Sequence, residues 1–559
     1  MSKQQSRRRA RRLAMAAGAG AGAAFVAATP AVAQDFMVTT LNPDGAAGSL
    51  RSQIEQANST PGADRILFQS GLTGTIELSE GDLGINEDLR IVGPGAADIT
   101  IDGGARGHVF SLYGPGENPL VAGISGLTIQ NAEEMFGGAI MSGNADLTLE
   151  DSVVTGNRSV YNGAAVYAGL AGSLTVRNST FSRNASGTGG AIFVGNQDVL
   201  IQNSTFERNR ASEFGGALAA AAGDSPHSIE IENSTFVRNT GGLAGGAITP
   251  LGSYAPEEAF QPSLEIRSST ISGNSAIAAG GGITGGFSES VIENSIVAGN
   301  SAIYGPDLYS GSFGSGPQER AGDCGCTYEY PFGIGFSLVE DPAQAEIDET
   351  VAGSNILGED PELDSLADNG GPTRTLALEA DSPAINKGAS PLSTDQRGEK
   401  RPVLYPGIPN SAAPGANGAD MGAFELQYEQ PRPPEPPVKN GPFKILDSTP
   451  NPNGTAIVRV KVPAPGEVTL VGYRRLKTVT KRADAKGIFK FRATPKGKLK
   501  QRLKKRGRAQ MVVRFHYDPD AGRTLSKARV FPLIKGMKSR KAAIAAVREF
   551  RRLAPWAGR

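Results

Sequence analysis

From residue 145 to residue 300 apolar and polar residues alternate in short runs, as at Leu147 and Leu149, Leu174 and Val176, Ile229 and Ile231, and Leu264 and Ile266. Period two over four or five residues predicts strands with one buried face. Each run leads into a small polar turn, then a large apolar residue, then an Asn three positions on. The clearest copies are Asn178-Ser-Thr-Phe181-x-x-Asn184, Asn203-Ser-Thr-Phe206-x-x-Asn209 and Asn233-Ser-Thr-Phe236-x-x-Asn239; weaker ones run from Asp151 to Asn157, Ser268 to Asn274 and Asn294 to Asn300. The closing Asn recurs in steps of 27, 25, 30, 35 and 26 residues. Such a period means stacked units rather than one central core.

A second segment opens with paired glycines: Gly137-Gly-Ala-Ile140, Gly189-Gly-Ala-Ile192, Gly215-Gly-Ala-Leu218, Gly245-Gly-Ala-Ile248 and Gly281-Gly-Ile283, with Gly163-Ala-Ala-Val166 as a variant. Paired glycines permit sharp corners and close approach of neighbouring coils. A coil of about 26 residues holds two or three strands, and stacked coils pair strand on strand about 4.8 Å apart. The expectation is a parallel β-helix. Val154, Phe181, Phe206, Phe236, Ile271 and Val297 should form one internal column. Asn157, Asn184, Asn209, Asn239, Asn274 and Asn300 should form an amide ladder at a corner, a structural role. The Asn-x-Thr triplets match a glycosylation acceptor but belong to the repeat itself.

These motifs resemble the repeats of polymorphic outer membrane proteins, which are surface β-helical adhesins. Gly48-Ser-Leu-Arg-Ser-Gln-Ile-Glu-Gln-Ala-Asn58 with Ala63-Asp-Arg-Ile-Leu-Phe68 resembles the CSLREA-type cap of secreted β-helix proteins, with Gly48 in place of its Cys. The stretch Asp360-Pro-Glu-Leu-Asp-Ser-Leu-Ala-Asp-Asn-Gly-Gly-Pro-Thr373, then Ser382-Pro-Ala-Ile-Asn386, Asp395-Gln-Arg-Gly398 and Asp420-Met-Gly-Ala-Phe-Glu425, resembles the choice-of-anchor Q domain of secreted bacterial proteins. The resemblance covers about residues 40 to 427 and implies an all-β chain with a right-handed parallel β-helix and a surface role, without naming a reaction. Two features depart from it. The chain's end has no series of lipid-facing strands, and no sortase-type or transmembrane anchor is visible in the mature chain.

Charge divides the chain. Residues 34–438 hold 18 Lys/Arg and 50 Asp/Glu, a net of −32, and residues 439–559 hold 32 and 6, a net of +26. The first 33 residues add six positive charges, which brings the total to zero. Arg7, Arg8, Arg9, Arg11 and Arg12 followed by an Ala/Gly/Val run and Ala31-Val-Ala33 read as a signal peptide, residues 1–33, cleaved after Ala33. Residues 34–105 then read as cap and first coils, 106–310 as the repeats and 311–427 as a loop insertion with the closing region. A Pro-rich spacer at 428–442 includes Gln430-Pro-Arg-Pro-Pro-Glu-Pro-Pro437. Strand patterns at Thr455–Val462, Glu467–Val471, Gly487–Arg492, Ala509–Tyr517 and Ala528–Ile534 predict a small basic β-sandwich over 443–535. The tail 536–559 reads as a basic helix with Ile544, Val547, Phe550 and Leu553 along one side.

The sequence offers little chemistry. Cys324 and Cys326, the only cysteines, read as a local disulfide or two free thiols in a loop, not as a metal site. His108, His227 and His516 lie far apart and read as surface or turn residues. The outward column Glu150, Arg177, Gln202, Glu232, Arg267 and Glu293 alternates in sign, which suits a sheet surface better than an acid/base pair. No catalytic residue and no cofactor is expected. Ca2+ is the candidate ion for the acidic residues, and Asp420 and Glu425 read as fixing a closing turn rather than holding it. The expectation is a secreted or cell-surface protein with an adhesive or structural role that binds extracellular glycan or envelope polymer. Its basic domain would meet an anionic surface through Lys496-Gly-Lys-Leu-Lys-Gln-Arg-Leu-Lys-Lys-Arg-Gly-Arg508. Nucleic acid is not expected, because the run lacks interleaved aromatics. The alternative is a polysaccharide lyase or glycoside hydrolase of the pectin-lyase-like β-helix type, its cleft built by insertions at 250–262 and 304–350.

Overall fold

The computed structural model describes residues 33–43, 45–114, 118–169, 171–252, 260–285, 289–311, 330–428, 443–472, 475–519, 525–539, 541–542 and 544–546. Residues 1–32, Cys324, Cys326, most of the Pro-rich spacer and the tail positions Val547, Phe550 and Leu553 lie outside them. Ala33 is described, and so is Ile544, which lies in a helical stretch. The described residues form two compact units. One runs to Leu404 and resumes over Asn410–Gln427, and the other takes Tyr405–Pro409 and the residues from Tyr428.

The first unit is a parallel β-solenoid of about ten turns. One coil shows the plan: Ser228–Glu232 lies in sheet I, Thr235–Val237 in sheet II, the short Thr240–Gly241 in corner sheet IV and Ile248–Leu251 in sheet III. Sheets I and III form one 20-stranded system, continuous through the long strand Ile140–Glu150; sheet II has 11 strands and sheet IV six. The coils continue past residue 310, since Phe332–Gly335 and Leu338–Val339 stack on Ser290–Glu293 and Ile296–Ala298. The first coils are closed by helix α1, Leu50–Asn58, capped by the Ser49 side chain, with Leu50, Ile54 and Ala57 buried. At Gly48 φ is +80° and a Cβ would sit 2.2 Å from the Thr39 hydroxyl oxygen, so a side chain there would strain the backbone and displace that hydroxyl.

Register places like residues above one another. Phe181, Phe206 and Phe236 are fully buried, and their ring centroids lie 4.7 and 4.5 Å apart with planes within 4°. Val154 and Ile271 extend the column on either side. The Asn ladder runs one way. Asn157, Asn184, Asn209, Asn239 and Asn274 each donate Nδ2–H to Oδ1 of the next coil's Asn at 2.9–3.0 Å. The same Oδ1 also accepts the preceding Asn's backbone N–H. The second Nδ2 hydrogen reaches back to a main-chain carbonyl such as Phe181 O, at 3.0 Å from Asn209. Each amide is thereby satisfied on both atoms.

Local conformation explains the rest of the repeat. The residue that opens each turn, among them Asn178, Asn203, Asn233 and Asn294, has φ of 45–51°, a left-handed conformation that Asn tolerates better than most residues. In the paired glycines the first takes positive φ and the second makes room: a Cβ on Gly216 would meet Gly246 O at 2.2 Å. One register differs from the sequence reading, since the positive-φ glycine of the fifth copy is Gly280, not Gly281.

The second unit packs a three-stranded antiparallel sheet (Lys444–Pro450, Ala456–Val462, Gly487–Ala493) with a four-stranded one (Val479–Ala483, Gly466–Val471, Arg508–Pro519, Leu525–Ile534) around Val458, Val468, Phe491, Phe515 and Phe531. The basic run, read from sequence only as charge, is helix α2, Gly497–Arg506. It buries Leu499 and Leu503 and is ended by left-handed Gly507.

Replacing Asn209 by Ala should destabilise the solenoid by about 1–3 kcal/mol, because it orphans buried donors on the coil before it. Phe206→Ala should cost about 3–5 kcal/mol. Denaturant midpoints of both variants check this, and a neutral Asn209→Ala would refute the ladder's structural role.

Candidate functional site

The carboxylates of the solenoid are where hydrolase or lyase chemistry would have to reside. On sheet I the outward column is in register from Glu150 through Arg177, Gln202, Glu232 and Arg267 to Glu293. Arg177 Nε donates to Gln202 Oε1 at 2.9 Å, and Gln202 Nε2 donates to Glu232 Oε2 at 2.8 Å. Arg267 lies between Glu232 and Glu293, at 3.7 and 3.4 Å, and also pairs with Glu265. Glu232, Glu265 and Glu293 each have a cation beside them.

The later coils of sheet II are covered. The closing region, 360–404 and 410–427, runs along the outer surface of the coils that carry Thr205, Thr235 and Thr270 as an irregular strap. Gln396 is the central contact: its Nε2 donates to Thr205 Oγ1 and Thr373 Oγ1, both at 2.9 Å, and its Oε1 accepts from Thr235 Oγ1 at 2.6 Å. Ala423 N donates to Thr270 Oγ1, Gly422 N to Asn294 O, and Asn294 Nδ2 to Asp420 O. Arg374 pairs with Glu207, and Leu366 and Leu376 bury Val237. The Asn residues that open the turns thus serve twice, for their left-handed backbone and as contacts for the strap: Asn233 Nδ2 donates to Thr394 O at 2.9 Å.

Behind the strap's contact face lies a buried ion cluster. Arg401, fully buried, donates Nε–H to Glu425 Oε2 at 2.9 Å, Nη1–H to Asn233 Oδ1 at 3.1 Å and Nη2–H to Gly422 O at 2.7 Å. Arg397 grips Asp395 Oδ2 through Nε and Nη2 and stacks 3.7 Å over the Phe424 ring. Asp420 accepts from Asn386 N and Leu426 N, while its own N–H goes to Glu425 Oε2. Burial, reinforced by the charge of Glu425, pushes the Asp420 carboxyl up to about 8, and burial raises Glu425 as well. Perturbed carboxyls often mark active sites, but these two are enclosed and engaged with the backbone. They fix a closing structure.

A third perturbed carboxyl ends the amide ladder. Asp307 Oδ1 takes the place of the next Asn, accepting from Asn300 N at 3.1 Å and Asn300 Nδ2 at 2.8 Å, and its Oδ2 accepts from Asp341 N. Burial raises its pKa to about 6 against these three bonds. Sequence reading missed Asp307, which stands only seven residues after Asn300 and so breaks the period. It also missed a second ladder, whose signal was the invariant Ser of the repeat. Ser152, Ser179, Ser204, Ser234 and Ser269 each donate backbone N–H to the next coil's Ser Oγ at 3.1–3.2 Å.

Among the described residues, no group of three or more His, Cys, Asp or Glu could hold a metal ion. The histidines are not brought together. His108 Nδ1 contacts Gly137 O at 2.6 Å, His516 lies on a sandwich strand, and His227 is buried in its insertion rather than lying at the surface, its Nδ1 against Ser225 O.

Residues 112–315 match the family profile described as right handed beta helix region. The solenoid is a right-handed parallel β-helix. No curated protein matches the chain. Among the described residues no helix is long and apolar enough to cross a membrane.

The basic unit presents a different electrostatic surface. On the outer face of its three-stranded sheet, Lys444 lies directly opposite Lys461 and Arg459 opposite Lys490, with Arg492 exposed on the same side. Arg459 pairs there with the Asp447 carboxylate. Like charges in facing positions destabilise a sheet, and α2 repeats the pattern with Lys500 and Lys504 four residues apart.

The buried carboxyls set a pH dependence. The folded β-helix holds the Asp420 and Asp307 protons above the ordinary 3.8, so unfolding releases protons and stability falls as pH rises from about 4 to 8. The difference in thermal midpoint between the parent and Asp420→Asn should therefore decline between pH 5 and pH 8.5; a rising difference would contradict the assignment. Arg401→Ala should cost about 3–5 kcal/mol, as expected for breaking a buried pair.

Proposed function

We propose that this chain is an exported cell-surface protein in which an acidic β-helix acts as a non-catalytic adhesive rod and the basic sandwich holds it to an anionic surface. The observation that carries the reading is the disposition of the carboxylates: Glu232, Glu265 and Glu293 on sheet I lie around Arg267, Asp420 and Glu425 are enclosed behind the strap, and Asp307 closes the ladder, while the half-exposed Glu340 is raised by burial and by the charge of Asp360. An acid/base pair requires carboxyls open to substrate on a shared groove. The rod offers adhesion what it needs, a rigid surface whose shape repeats along its length.

Attachment rests on the second unit. Like charges facing one another, Lys444 with Lys461 and Lys490 with Arg459, cost stability in the domain, and a polyanion such as a wall polymer or lipid headgroups would offset that cost. Export rests on the basic, Ala-rich N-terminus ending at Ala33.

Deleting residues 439–559 should release the protein from the producing cell into the medium, and raising salt to about 1 M should detach the full chain, since screening then acts within about 3 Å. Surface retention of the truncated chain would refute the anchoring role. Turnover of an acidic or neutral polysaccharide, abolished by substituting one carboxylate, would replace the adhesive reading with the lyase or hydrolase one.

A further inference from the structure

The densest charge in the second unit sits on helix α2. Eight of the thirteen residues from Lys496 to Arg508 are Lys or Arg, and none is acidic. Two other segments join the helix at its ends. Lys496 N donates to the carbonyl of Arg475, Lys477 N donates to Thr494 O at 3.0 Å, and beyond the helix Lys535 N donates to Gly507 O at 2.8 Å. Three parts of the chain thus bring cations to one place. Folding accounts for only some of them. Lys504, Lys505 and Arg506 in the last turn suit the negative end of the helix dipole. Lys498 and Lys500 stand near its positive end, where the first turn has no acidic residue and no side chain caps the helix. Lys500 and Lys504 also repel each other across one turn. Meanwhile Asp447 and Asp484, two of the unit's six acidic residues, pair with Arg459 and Arg482 on the sheets.

The arrangement selects the occupant. At about 100° per residue, Lys500 and Lys504 lie on one flank of α2, Lys498 and Lys505 along its crest, and Arg502 and Arg506 on the other flank. The cations therefore wrap about 240° of the helix circumference. A bilayer is flat and would meet the crest alone, whereas a flexible chain with repeated anionic groups can follow the helix around both flanks. Insertion into lipid requires a free apolar face, and the apolar face of α2 is already used: Leu499 and Leu503 are buried in the sandwich core. The outward positions also lack the aromatic rings on which nucleic-acid bases stack. We infer that α2, with the segments around Arg475 and Lys535, binds a linear polyanion, an anionic envelope polymer rather than lipid headgroups. The inference deepens the attachment reading above and rests on it.

Binding is measured with the full chain against long-chain polyphosphate and polygalacturonate, with phosphatidylglycerol–phosphatidylcholine vesicles and duplex DNA in parallel. At least one polymer should bind, its affinity falling roughly 50-fold from about 50 to about 200 mM salt, the response to about four displaced counterions on a flexible polyanion. Lys500→Gln combined with Lys504→Gln should weaken binding roughly 20-fold at about 0.1 M salt and lower the salt slope by about 1.4. Lys461→Gln combined with Lys490→Gln removes the same charge from the sheet and should weaken it only about 2-fold, since a charge then acts within about 10 Å. Relief of the repulsion across one turn should leave the thermal midpoint of the α2 variant unchanged or raised. No binding to either polymer, an equal or greater loss from the sheet pair, or tighter binding to vesicles or DNA than to the polymers would each overturn the proposal. Loss of the chain lacking residues 439–559 from the cell surface, with no polymer bound by the parent, would sink the polyanion site and leave attachment standing. Polymer binding that depends on α2, with the truncated chain still on the cell, would sink attachment and leave the site standing.

Discussion

Everything in the first unit depends on a polar constraint: a coil that stacks on another must satisfy its buried amides and hydroxyls through that neighbour. Hydrophobic columns such as Phe181, Phe206 and Phe236 supply attraction but tolerate a shift in register along the axis. The Asn ladder does not. Each Asn passes its Nδ2–H to the next Oδ1, so every coil is at once acceptor for the coil before and donor to the one after. A one-way chain needs a terminal acceptor with no hydrogen to pass on, and a carboxylate suits that position chemically. Asp307 fills it, and the price is a buried carboxyl whose pKa is raised to about 6.

The ladder and the Phe column were legible because repetition multiplies a weak signal: six copies of one spacing outweigh the ambiguity of any single copy. What was illegible has a common cause. The strap's contacts join residues such as Thr235 with Gln396 and Asn233 with Arg401, separated by 161 and 168 positions, and no local period encodes such pairs. Asp307 and Gly280 were missed because each sits where the period slips. Helix α2 was hidden by its own charge: ten residues with eight polar or glycine positions carry only Leu499 and Leu503 as an apolar signal, spaced i and i+4.

Of the first unit's outward surfaces, two are committed to the structure itself. On sheet I Arg177, Gln202, Glu232, Arg267 and Glu293 are engaged with one another, and the later coils of sheet II are covered by the strap, whose buried Arg401 and Glu425 tie it to the turn at Asn233. Such clusters add little net stability but are costly to break, so they fix where the strap lies more than how tightly it holds. Its polar contacts with Thr205, Thr235 and Thr270 do the same at three successive coils.

The same comparison separates the two units. In the first, Glu232 faces Arg267 and the two cancel, although Glu230 faces Glu265 and Arg65 faces Arg90. In the second, lysine faces lysine and arginine faces lysine. A sheet selected only for stability would place carboxylates at these exposed positions, since the substitution is sterically free there. Asp447 answers Arg459, and under the attachment proposed above an anionic surface would supply the charge opposite Lys444, Lys461 and Lys490.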